Sequence, residues 1–136
     1  YHYVLIAEDA SENQSTPSDT LDYMRLGAMS SASMLPNGLS VPLDSDRKLH
    51  WSYSYTVAME NYTMTIMSDD NGLILRRELT LGNYIEGTEY FTVPDTIVLT
   101  PGSIYNWRVD MGGRYAEDRE TAGSESPWAT FLYNGL

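Results

Sequence analysis

A chain of 136 residues suits one domain, able to bury roughly two-thirds of the surface that its unfolded form exposes. It has no cysteine, which excludes disulfides, thiolate nucleophiles and sulfur-ligated metal sites. With 19 acidic residues against 8 basic ones, the net charge is −11, which repels nucleic-acid phosphates and anionic lipid.

Membrane insertion is not expected, because no window approaches the ~20 consecutive apolar residues that span a bilayer. Abundant Tyr, Thr and Ser with a single lysine, Lys48, point to a secreted or surface β protein. The first residue is Tyr1, which fits a processed chain or a segment of a longer one.

Tyr1 to Ala7 is a short, β-prone, nearly uncharged run, and Glu8 to Thr20 is polar and carries Pro17. The expectation is a strand followed by a linker over residues 1–20, with a sandwich over 21–136. Tyr1, Tyr3 and Leu5 alternate with Val4 and Ile6, so both faces of the run are largely apolar, as in a strand held between protein layers. The tether could reach roughly 40 Å if extended. An arm that adds a strand to the open edge of another copy is therefore expected, with pairing inside the same sandwich as the alternative.

Leu21 to Ser33 reads as a first sandwich strand, or else a helix over 21–28, leading to the turn Pro36-Asn37-Gly38. Lys48 to Ser54 alternates Leu49, Trp51 and Tyr53 with His50, Ser52 and Ser54. Asn61 to Ser68 places Tyr62, Met64 and Ile66 on one face, and Asp69-Asp70-Asn71-Gly72 turns it into Leu73 to Leu79, a hairpin. Thr88 to Val93 alternates again. Thr96 to Leu99 then leads into Pro101-Gly102, after which Tyr105, Trp107, Val109 and Met111 alternate with Asn106, Arg108 and Asp110. Gly112 to Glu125 reads as a long polar loop, and Ser126 to Tyr133 as the closing strand.

Leu99-Thr-Pro-Gly-x-x-Tyr105-x-Trp107 resembles the corner between the fifth and sixth strands of fibronectin type III domains. Pro36-Asn-Gly followed by Leu49-x-Trp51 is similar to their front half. The resemblance implies an all-β, fibronectin type III-like antiparallel β-sandwich, to which the residues of the arm add an extra N-terminal strand. It also implies a structural corner of Leu99, Pro101, Gly102, Tyr105 and Trp107, with the Tyr105 hydroxyl bonded to upstream backbone. It covers about Met34 to Tyr133.

Catalytic chemistry finds little foothold. The histidines are His2 and His50, there is no Gly-x-Ser-x-Gly elbow, and the pairs Asp44/Asp46, Asp69/Asp70 and Glu117/Asp118 all fall in expected turns or loops, where aspartate bonds local backbone. Asp69, Asp70 and Asn71 are hard oxygen ligands and are the candidates for calcium, though the turn itself explains them; no other cofactor is expected. Asn13-Gln-Ser and Asn61-Tyr-Thr are acceptor sequences for glycosylation. The 11 tyrosines exceed what a small core requires, so some lie on the surface. The function expected is a non-enzymatic extracellular structural or adhesive module that assembles into a surface filament through its N-terminal strand, with other copies of itself as partner. The alternative is a carbohydrate-binding accessory domain of a secreted enzyme. A planar aromatic patch would favour sugar, and an unpaired edge or free arm would favour assembly.

Overall fold

The computed structural model describes residues 2–18, 21–25, 27, 29–53, 58–80, 87–114 and 121–135. The described strands are β1 (His2–Tyr3), β2 (Leu21–Arg25), β3 (Met34–Leu35), β4 (Lys48–Tyr53), β5 (Ala58–Ser68), β6 (Leu73–Thr80), β7 (Gly87–Thr92), β8 (Ser103–Arg114), β9 (Thr121–Glu125) and β10 (Ala129–Tyr133). They form an all-β sandwich. The larger sheet runs β1-β2-β9-β8-β5-β6 with β10 also on β8, and the smaller runs β3-β4-β7.

Period-two alternation builds the core. From the small sheet come Met34, Leu49, Trp51, Tyr53 and Phe91; from the large one come Tyr62, Met64, Ile66, Tyr105, Trp107, Val109, Met111 and Phe131, all buried. Trp51 and Tyr62 meet edge to face across the layers at 5.0 Å, a geometry worth about 0.5–1.5 kcal/mol beyond area burial. The Trp107 Nε1–H donates to the Pro36 carbonyl at 3.0 Å, so the middle of β8 is bonded to the exit of β3.

Three expectations change. Leu21 to Ser33 is not a single strand. Leu21–Arg25 instead joins the large sheet, parallel to β9, and a 3-10 turn at Ser31–Ser33 separates it from Met34–Leu35. The cause lies in Ser30, whose hydroxyl accepts the Ala32 N–H, and in the small side chains of residues 30–33, none of them buried, between the core residues Met29 and Met34. Gly112 to Glu125 is not a loop throughout: β8 continues to Arg114 and pairs with β9 through Asp110↔Glu125 to Arg114↔Thr121. Its inward positions are Gly113, Ala122 and Ser124, too small to show an apolar alternation. Finally, the strand expected over residues 1–7 is shortened to His2–Tyr3, paired with β2 of its own chain through His2↔Asp22 and Tyr3↔Leu21. Glu117, Asp118, Tyr55, Tyr84 and Tyr115 lie outside the described residues.

β9 and β10 occupy successive lengths of one edge of β8. The break between them is closed by Ser126, whose N–H donates to the Val109 carbonyl at 3.1 Å and whose Oγ accepts the Val109 N–H at 2.9 Å. The outer edge of β10 is covered by the connection after β3, where Gly38 N–H bonds Thr130, Leu132 N–H bonds Val41, and Leu43 N–H bonds Leu132. That edge is closed.

Candidate binding surface

The N-terminal arm departs most from expectation. The polar stretch after Ala7 is no extended tether, because it folds back as a hairpin. Ser15 N–H donates to the Ala7 carbonyl at 2.8 Å and Ser18 N–H to the Leu5 carbonyl at 2.9 Å, while the two serine hydroxyls accept the Ala7 and Leu5 N–H groups at 3.0 Å. Asp9 makes the turn by accepting from the Asn13 side-chain amide and from the Asn13 and Ser11 N–H groups, which together lower its carboxyl from the ordinary value. The glycosylation candidate Asn13 thus sits in an exposed but engaged turn.

Along the arm Leu5, Ala7 and Asp9 spend their backbone groups on the hairpin. No described residue hydrogen-bonds the backbone of Val4, Ile6 or Glu8. The side chains of Val4, Leu5 and Ile6 are 46%, 78% and 51% exposed, a contiguous apolar run in water. Residues 4–8 thus form a half-paired segment beyond β1 with one backbone edge open. Tyr1 lies outside the described residues.

At the opposite end of the chain's logic stands the structural corner. Leu99 and Tyr105 are buried, Trp107 fully so, Pro101 is exposed, and Gly102 takes φ 82°, open to glycine without strain. The Tyr105 hydroxyl accepts the Thr100 N–H at 2.8 Å. Tyr105→Phe is expected to cost about 1 kcal/mol, read from the denaturant midpoint, and an unchanged midpoint would mean that water replaces the bond.

The calcium candidates form a turn. Asp70 accepts from the Ser68 hydroxyl and from the Gly72 N–H, which lowers its carboxyl from the ordinary value, and Asn71 adopts φ 65°. Asp69 is exposed beside it. Among the described residues no group of three or more His, Cys, Asp or Glu side chains could hold a metal ion. His50 is half-buried and packs beside Tyr90, with ring centroids 5.8 Å apart. Asp46 is paired to Lys48 at 3.2 Å. Asn61, half-buried on β5, sets its amide oxygen against Gly112, where an added Cβ would lie 2.5 Å away.

Among the described side chains, the exposed aromatics Tyr90 and Trp128 lie on different sheets. Tyr90 belongs to the small sheet with the Lys48 ammonium 4.8 Å from its ring centre, and Trp128 borders the large one with the Arg108 guanidinium at 5.2 Å.

Sequence reasoning overlooked the charges of the large sheet's outer face. Arg108 pairs with Asp110 at 2.9 Å and with Glu125 at 3.9 Å. Burial still pushes the Asp110 carboxyl upward, with Arg108 drawing it back and Glu125 adding to the rise. The folded state therefore holds this proton more tightly than the unfolded one, so the contribution of Asp110 to stability falls as pH rises from the ordinary carboxylate range through the raised value. Asp110→Asn removes that loss. The expected result is a denaturant midpoint difference that moves in favour of the variant across this window, whereas a difference moving toward the wild type would contradict it. The alternation Arg108-x-Asp110 was the available signal.

Among the described residues β6 pairs with β5 on one side and with no strand on the other, and its Arg76 and Arg77 are exposed without an ion pair. Compared with protein-family models, with characterised proteins and with solved structures, the chain gives no match.

Proposed function

We propose that this chain is a fibronectin type III-like module that works outside the cell as a non-enzymatic structural or adhesive element and associates with copies of itself through its N-terminal arm. Two observations support the family reading. The small sheet in the order β3-β4-β7, faced by β6-β5-β8-β10, is the strand arrangement that the resemblance implies, and the Tyr105 hydroxyl meets backbone five residues upstream. The acidic, tyrosine-rich composition supports the extracellular setting.

The observation that carries the functional reading is the arm: three adjacent apolar side chains in solvent, on a hairpin segment with one open backbone edge. Sugar binding draws less support, because Tyr90 and Trp128 lie on different sheets and each is faced by a cation. The test is Val4→Ser, Leu5→Ser and Ile6→Ser together. These positions are exposed, so the fold and its melting temperature are expected to stay as in the wild type while the mass by light scattering drops to that of a monomer. An assembly mass unaffected by the triple change would sink this reading.

A further inference from the structure

An open strand edge needs an acceptor, and the rest of the molecule narrows the choice. The outer edge of β10 is covered by Gly38–Leu43, that of β9 by β2, and that of β2 by β1. β3 and β1 are two residues long. Two longer edges remain among the described residues, β7 and β6.

Charge separates them. The hairpin that follows Val4–Ile6 carries Glu8, Asp9 and Glu12, all exposed. β7 brings the acid Glu89 and no base to its edge, and the nearby Lys48 is already engaged with Asp46 and Tyr90. β6 brings Arg76 and Arg77 against the single acid Glu78, in a chain whose net charge is −11, and the other cations whose side chains are described, Arg47, Lys48 and Arg108, are ion-paired. β6 is also eight residues long, and Leu73 at its start is 62% exposed. Length, an apolar start and two exposed arginines meet on one edge.

We propose that the free edge of β6 receives the arm of a second copy: the open backbone edge at Val4, Ile6 and Glu8 adds to Leu73–Thr80, with the acidic hairpin lying against Arg76 and Arg77. This rests on the reading of the arm as an assembly element and names its acceptor. Main-chain hydrogen bonds supply the pairing, and the opposed charges set which edge is chosen. Donor and acceptor are different surfaces of one chain, so the contact is heterologous and each added copy leaves one arm and one edge free for the next.

The test uses the full chain, with light scattering over a concentration series and circular dichroism as the check of folding. Arg76→Glu with Arg77→Glu should raise the concentration of half-association at least about tenfold, a change of ~1.4 kcal/mol. Glu8→Lys with Glu12→Lys should do the same, and the four changes combined in one chain should restore association. Mixing the Arg76→Glu/Arg77→Glu variant, whose arm is intact, with the Val4→Ser/Leu5→Ser/Ile6→Ser variant, whose β6 is intact, should give a species of twice the monomer mass that grows no further. If the arm variant loses association while the β6 variant keeps that of the wild type, arm pairs with arm or with another edge; the acceptor is then wrong and the assembly reading stands. If neither variant alters the wild-type mass, both are wrong.

Discussion

Replacing Trp107 with alanine is expected to cost about 3–5 kcal/mol. The ring is fully buried in the middle of β8, flanked by Ile66 on β5 and Ala129 on β10, so its removal opens a cavity against both neighbours. Its Nε1–H also satisfies the Pro36 carbonyl across the sandwich, and that acceptor would be left behind the ring's cavity without its donor. Against total stabilities of about 5–15 kcal/mol for domains of this kind, such a loss populates the unfolded chain. Trp107→Phe separates the two contributions, since it keeps most of the apolar volume and removes the bond; about 1–3 kcal/mol is expected. Urea midpoints measure both, and a Trp107→Ala loss below about 1 kcal/mol would mean that the layers are not joined here.

Arg47→Ala is expected to cost about 2–3 kcal/mol, an unusual figure for an arginine in a turn. Arg47 is 9% exposed and sits at φ 55° at the entry to β4. Its Nη2 donates to the carbonyls of Pro94 at 3.2 Å and Ile97 at 2.9 Å, Nη1 pairs with Asp95 at 3.6 Å, and the guanidinium lies 5.9 Å from the Tyr133 ring centre. The Arg47 carbonyl accepts the Val93 N–H at 2.9 Å. One side chain thereby fixes the segment between β7 and the corner at Leu99. The ion pair is a small part of this, because Asp95 is 97% exposed and its attraction is screened by solvent. Asp95→Asn should therefore cost well under 1 kcal/mol, and equal losses for the two variants would reverse this assignment.

The contrast between Trp107 and Arg47 explains what could be read in advance. Strict alternation of large apolar residues marks β4, β5 and β8, and their buried faces follow from the sequence alone. The turn at Asn71-Gly72 is legible for the same local reason. Arg47 shows no such pattern, since its partners lie about fifty positions away and it reads as one more polar turn residue. β2 and β9 are hidden differently: Gly113, Ala122 and Ser124 face inward where β2 and the backbone at Gly27 come close, and small residues carry no hydrophobic period. The apolar character of residues 4–6 was visible. Their hairpin was not, because it is held by Ser15 and Ser18 hydroxyls in place of a regular ladder. The charge at Arg76 and Arg77 stands out only beside Arg47, Lys48 and Arg108, each of which has an ion-pair partner.

The most direct measurement of the central claim is the light-scattering mass of the unmodified chain across a wide range of concentrations at low and high salt. The mass is expected to climb above the 15.3 kDa of one chain as concentration rises and to fall back toward it as salt screens the arm from β6. A mass of 15.3 kDa at every concentration and both salt levels would contradict it.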